Sequence, residues 1–324
     1  MGKIRVAVIG VGVHGRRHAD KLSRAPQADL VAVVDTDDAA AQGTAARHGV
    51  RGLAHYRDIL AEVDAVSIAV PSRQHFEIAR DCLLAGVDVL VEKPIAMDLG
   101  QADQLIALAA RCRRVLQVGH VERYNPAVRV LVPRIDRPSY LSFTRVAKLS
   151  GRGTDIGVGL DLMIHDLDLA CWMIDRPIVD VEAIGESVRS ADFDVLQARL
   201  HFDGGCVVDL FASRVGTRPE RKLTLMQPNG YARADLMSKT LDYVEGSKAA
   251  PAHDDSRAET HHGDALEAEI AAFLDRVVDR QLPLVDGAAG RQALKAALSI
   301  AEVASQARGR LTGAGLRLKL PIRA

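Results

Sequence analysis

Ile4-Arg5-Val6-Ala7-Val8-Ile9-Gly10-Val11-Gly12-Val13-His14-Gly15 decides the fold. A β-forming run leads directly into three glycines spaced G-x-G-x-x-G, and a helical pattern, Arg16–Ser23, follows. In such a strand–turn–helix, Gly10 permits the tight turn, Gly12 lets phosphates approach the backbone, and Gly15 lets helix and strand pack closely. The first turn of the helix then offers N–H groups and positive dipole to an anion. A second strand, Leu30–Val34, ends in Asp35, twenty positions after Gly15. A carboxylate there accepts hydrogen bonds from adenine ribose hydroxyls and repels a 2′-phosphate, and Thr36 and Asp37 supply no arginine to offset it. The cofactor read from this stretch is NAD, held by Gly10, Val11, Gly12, Val13, His14, Gly15 and Asp35.

The alternation of strand and helix continues. Asp37–His48 reads as a helix, followed by a short segment near Gly52 and a helical turn at Tyr56–Leu60. Val63–Val70 is the continuous apolar run of a strand inside a parallel sheet. It ends in Pro71-Ser72, with His75 on the turn into helix Gln74–Ala85. Pro71 and Ser72 are therefore expected beside the cofactor, whereas His75 reads either as a cofactor-cleft residue or as a helix cap. Val87–Val91 is the next strand, and Glu92-Lys93-Pro94 falls where it leaves the sheet, the edge at which ligands gather. Helix Leu99–Cys112 and strand Val115–Val118 complete six strands. This is a doubly wound parallel sheet of the Rossmann type, assigned to residues 1–122.

From about Ser139 the period becomes two. Tyr140–Leu149, Val179–Val188, Val195–Phe202, Val207–Val215, Lys222–Met226, Tyr231–Leu236 and Thr240–Val244 read as strands, with Gly204-Gly205 and Asn229-Gly230 as hairpin turns. The second domain, 123–324, is therefore α+β with a mostly antiparallel open sheet. Its closing helices, Leu266–Val278 and Gly290–Ala307, are free to pack back on the first domain. One helix, Leu160–Ile174, interrupts the strands, with Leu160, Met163, Ile164 and Leu167 on an apolar face. Asp161, His165, Asp168 and Trp172 form a second stripe. His165 titrates nearest neutrality, which suits a proton acceptor; the alternative is an Asp–His pair on an exposed face.

The chain has 324 residues, too many for one ordinary core. Forty-two basic residues balance forty-two acidic ones, which gives no support for a nucleic-acid or anionic-membrane partner. Four scattered cysteines without a CxxC, and an N-terminus that runs straight into a strand, point to the cytoplasm. No apolar run reaches the ~18 residues of a membrane span. Arg145, Lys148, Arg152 and Arg214 are candidate partners for a substrate pyrophosphate. His253, Asp254, Asp255, His261 and His262 match no metal-site spacing, and no metal is expected.

Three motifs together carry a resemblance along essentially the whole chain: Gly10–Gly15, then Ala85-Gly86-Val87-Asp88-Val89-Leu90-Val91-Glu92-Lys93-Pro94, then Asp155-Ile156-Gly157-Val158-Gly159-Leu160-Asp161 through His165. In these the chain resembles the Gfo/Idh/MocA family of NAD(P)-dependent sugar oxidoreductases. The third motif keeps one of the family's three glycines, Gly157. Gly119-His120-Val121-Glu122-Arg123-Tyr124-Asn125-Pro126 and Leu160–Asp166 are similar to a narrower group that oxidises the 3-hydroxyl of UDP-N-acetylglucosamine to a 3-keto sugar for later transamination. The resemblance implies catalytic roles for Lys93, His165 and Asp161. His165 would be the base, Lys93 would polarise the reacting oxygen (the reverse assignment stays open), and Asp161 would hold a neighbouring hydroxyl. It places Glu92 on the nicotinamide ribose or against Lys93, and Pro71, Ser72 and His75 along the cofactor cleft. A free sugar or inositol-type polyol is the alternative substrate, and a non-catalytic NAD-binding sensor the alternative function. The exposed β face implies a homodimer or homotetramer.

Overall fold

The structure, a computed structural model, describes residues 2–148, 156–246, 259–260 and 262–313. The first sheet comprises β1 (Ile4–Ile9), β2 (Ala28–Val34), β3 (Arg51–Leu53), β4 (Ala65–Ile68), β5 (Asp88–Glu92) and β6 (Leu116–Gly119). All six are parallel, in the order β3-β2-β1-β4-β5-β6. Their apolar runs are buried on both faces, because helices cover both. Four of these helices are α1 (Val13–Leu22), α2 (Asp38–His48), α3 (His75–Leu84) and α4 (Leu99–Cys112). Side-chain oxygens of Asp37 and Asp98 accept from Ala40 N and Gln101 N and so fix the starts of α2 and α4. The strand order reverses between β1 and β4, and that crevice is where a dinucleotide crosses such a sheet.

β6 leads into a 3₁₀ turn, Val121–Tyr124, and then α5 (Pro126–Leu131), capped by Asn125. The second sheet has eight strands. They are β7 (Tyr140–Lys148), β8 (Ile178–Glu186), β9 (Val195–Phe202), β10 (Val207–Gly216), β11 (Glu220–Gln227), β12 (Gly230–Asp235), β13 (Thr240–Glu245) and β14 (Glu259–Thr260). They lie in the order β14-β13-β12-β11-β7-β10-β9-β8, antiparallel except where β7 and β10 run parallel. Period-two patterning sends Leu141, Phe143, Leu200, Leu210 and Leu223 inward, onto α6 (Ile164–Ile174) and α8 (Gly287–Gly313). The other face is open. Phe211 lies on it at 37% exposure, with Ile184, Met226, Tyr231 and Val244 also exposed.

Two features differ from the sequence reading. The segment expected as a single α-helix from Leu160 opens as a π turn, Gly159–Met163, in which Ile164 N–H bonds Gly159 O five residues back. Nor is α6 half exposed: Asp166 and Asp168 are as buried as its leucines, because arginines from other elements meet them. The last helices serve both sheets. Ile270, Phe273 and Leu274 of α7 (Ala265–Asp279) join a core with β1 and β2, while α8 packs on α4 and β6 as well as on α6 and β8.

Candidate active site

The glycine turn has the shape its residues require. Gly10 has φ +88°, and a side chain there would meet Ala69 O at 2.7 Å. A Cβ on Gly15 would stand 1.7 Å from Gly10 O, so only glycine lets α1 start this close to β1. Gly12 is the opposite case: a Cβ would meet nothing within 4 Å, which is the clearance a pyrophosphate needs over the backbone. Val11 N donates to Asp35 Oδ2 at 2.8 Å and Asp37 N to Oδ1 at 3.0 Å, fixing the carboxylate at the end of β2. Val13 and His14 are exposed on the first turn of α1, and Pro71 and Ser72 begin the loop after β4. These residues fit NAD, with the adenosine over β2 and the nicotinamide toward β4, β5 and β6.

His75 is not at the cofactor surface. It is 1% exposed, with Nδ1 2.7 Å from Pro94 O and Nε2 3.0 Å from Val70 O. Its ring braces the loop after β4 against the loop after β5, because α3 begins beneath both. The expectation that it lines the cleft is corrected to this bracing role.

Lys93 leaves the end of β5 and reaches the π turn of the other domain. Its Nζ donates to Asp161 O at 2.5 Å and lies 3.3 Å from Asp161 Oδ1. One turn on, His165 is held neutral: burial first, then the positive charge of Lys93, pushes its pKa well down. Its Nδ1 is buried with no hydrogen-bond partner among the described residues. His120, at the end of β6, meets it edge-on with ring centroids 6.0 Å apart. An ammonium bonded to Asp161 and a neutral imidazole one turn further along thus stand near one another beyond the carboxyl end of β5, an arrangement able to take a proton from an alcohol while holding its oxygen.

Beneath the cleft, α6 is clamped. Arg145 bonds Asp166 (2.7 Å) and Glu122 (3.0 Å), and Arg123 makes a two-pronged bond to Asp168 at 2.7 and 2.8 Å. Arg145 is therefore removed from the pyrophosphate candidates, as is Arg214, buried against Asp194 at 2.7 Å. Lys148 is exposed at the end of β7; Arg152 lies outside the described residues, as do Asp155, His253, Asp254, Asp255 and His261. Sequence reasoning singled out neither His18 nor the role of His120. His18 Nε2 lies 3.1 Å from Glu92 Oε1, and its Nδ1 lies 2.7 Å from Ser67 Oγ. The one signal was position: His18 sits three residues beyond Gly15, and His120 directly follows a strand end.

Residues 4–120 match the family model described as oxidoreductase family, NAD-binding Rossmann fold, and 141–233 match the GFO/IDH/MocA C-terminal domain. UDP-N-acetylglucosamine 3-dehydrogenase of Acidithiobacillus ferrooxidans is 37% identical over 302 residues, 92% of this chain and 96% of that protein. The chain belongs to the Gfo/Idh/MocA oxidoreductase family. The solved structure of the Acidithiobacillus ferrooxidans protein superposes with a TM-score of 0.87, covering 94% of this chain and 99% of that one. Among other Gfo/Idh/MocA relatives, inositol 2-dehydrogenase of Rubrobacter xylanophilus is 34% identical over 193 residues, 56% of each chain. Levoglucosan dehydrogenase in complex with NADH, at 18% identity and TM-score 0.85 over 94% of this chain and 97% of that one, shares the fold. The first sheet is the family's NAD-binding domain. No helix among the described residues is long and apolar enough to cross a membrane.

Proposed function

We propose that this enzyme oxidises the 3-hydroxyl of UDP-N-acetylglucosamine to the 3-keto sugar nucleotide. The observation that carries the chemistry is the Lys93–Asp161 contact, which joins the end of β5 to the π turn and sets a neutral His165 above the same cleft. His165 takes the hydroxyl proton, Lys93 polarises that oxygen, and Asp161 orients Lys93 and accepts from a neighbouring hydroxyl. NAD, when bound along Gly10–Gly15 and Asp35, supplies the hydride acceptor. The choice of sugar is supported by the relative that shares 37% identity across 92% of the chain. Inositol dehydrogenases among the relatives make a polyol the second reading.

Absorbance of NADH, followed with purified enzyme, NAD and UDP-N-acetylglucosamine beside free hexoses and inositols, tests this. A parallel set with a 2-oxo acid covers the case in which NADH must be reoxidised in place. Turnover of the UDP-sugar alone supports the proposal, turnover of polyols alone replaces it with the second reading, and NAD binding without any turnover favours a sensor. We also place the boundary between the cofactor and substrate domains after Glu122, and the protein in the cytoplasm, where its four free cysteines stay reduced. The open face suits a homodimer or homotetramer. Phe211 follows Gln197 and Ile184 across it in one row, and Met226, Tyr231 and Val244 form another. Light scattering during gel filtration would show a monomer if this is wrong.

A further inference from the structure

We propose that Glu92 is a fixed negative charge that makes this enzyme hold the oxidised, positively charged nicotinamide more tightly than the reduced, neutral one. The proposal rests on the NAD site and not on which sugar is oxidised.

Asp35 marks the adenosine end over β2, so beyond the β1/β4 crevice the other half of the dinucleotide extends toward β5, where Glu92 ends the strand. The carboxylate is held from three sides. Its Oε1 lies 3.1 Å from His18 Nε2, and His18, 1% exposed, is itself fixed by Ser67 Oγ at 2.7 Å. Its Oε2 accepts from Lys93 N at 3.3 Å, and Gly119 keeps the neighbouring strand clear, since a Cβ there would stand 3.1 Å from that oxygen. The side chain is nonetheless 17% exposed, so it is not sealed under the sheet.

Lys93 already has Asp161 at 3.3 Å. Of the other titratable groups that sense Glu92, His75 and His120 are lowered and the buried Glu269 of α7 is raised, each chiefly by burial, and all three shifts disfavour the charged form. His14, although its surface is open on the first turn of α1, is lowered as well, chiefly by desolvation from the protein around it, and His18 is the direct partner. Burial alone would raise Glu92, but the His18 hydrogen bond and the charges of His18, His14 and Lys93 outweigh it and bring it down to about 2. The carboxylate is therefore ionised at any working pH. The oxidised ring carries one positive charge that the reduced ring lacks, and an ionised carboxylate held largely out of water at that end of the sheet tells the two apart.

Calorimetric titration of the full-length protein with NAD, NADH and ADP-ribose reads this without any sugar. Glu92→Gln keeps the shape and removes the charge. NAD should weaken about tenfold or more, NADH by less than about twofold, and ADP-ribose, which lacks the nicotinamide, not at all. Partial misfolding would change the number of sites found and not the ratio of affinities. An equal loss for NAD and NADH in Glu92→Gln, or an unmoved ratio, would overturn the proposal. An enzyme inactive on every sugar leaves this ratio as it is, and a flat ratio leaves the sugar assay as it is, so the two readings fail separately.

Discussion

Lys93–Asp161 and Arg145–Asp166 are both pairs of a cation with a carboxylate, and the two carboxylates stand five residues apart along one segment. Their side chains are 14% and 26% exposed in the first pair, and 3% and 4% in the second. The first pair is loose, at 3.3 Å, and open to the cleft; the second is closed, at 2.7 Å, and shared with Glu122. The difference separates two jobs. In the proposed reaction the first pair engages substrate and keeps an accessible ammonium, whereas the second, which holds the helix carrying His165, is buried with each guanidinium nitrogen bonded to a carboxylate. Burying charge this way is a poor source of stability, but breaking it is expensive, because the survivors are left unpaired.

Four substitutions and one pH titration would sharpen or break that contrast. His165→Ala should lower kcat by ~10²–10⁴ with the midpoint of unfolding little changed; near-normal kcat would remove it as the base. Arg145→Leu should act on the other quantity, costing about 3–5 kcal/mol in denaturant unfolding by stranding Asp166, while Glu122 keeps Arg221 and Asn125. Little loss there would mean that water already reaches the clamp.

Stability against pH comes next. Burial lowers His75, His120 and His165, so below about pH 6.5 the unfolded chain binds protons that the folded chain refuses. Stability should therefore fall as pH drops from 7 to 5, by up to about 1.4 kcal/mol per unit for each histidine. Glu269 works in the opposite sense. Its native pKa is raised by burial, so above about pH 4.5 the unfolded chain releases a proton that the folded chain keeps, and that contribution is lost as pH rises. Glu269→Gln should flatten this second trend, and melting temperatures from pH 5 to 9 would show whether it does. The smallest effect is expected of His75→Leu, about 1–3 kcal/mol from the one carbonyl, Pro94 O or Val70 O, that loses the ring N–H, with KM for NAD changed less than about threefold. A large rise in that KM would return His75 to the cofactor cleft.

The first sheet was legible because its signals are local. G-x-G-x-x-G, Asp35 and the apolar runs each act over a few residues, and in the second sheet strands such as Val195–Phe202 stand where their period of two places them. What could not be read are the pairings across long separations. Arg123 and Asp168 are 45 apart in the chain, His18 and Glu92 are 74 apart, and no period links them. For the same reason Arg145 read as a free cation and His75 as a cleft residue; only the fold reveals which acceptors each meets. The π turn was also hidden, since Gly159–Met163 has the apolar spacing of an ordinary helix start.

The dual packing of the last helices bears on how the chain is made. Val6 and Leu30 near its start share a core with Ile270 and Phe273, and Gln117 Nε2 donates to Glu269 O, a separation of 152 residues. During synthesis, the glycine turn therefore leaves the ribosome long before the helix that covers its sheet. The cofactor domain should remain protease-sensitive on stalled chains until α7 has emerged. Protection appearing on chains that stop before Leu266 would show that the first sheet closes unaided.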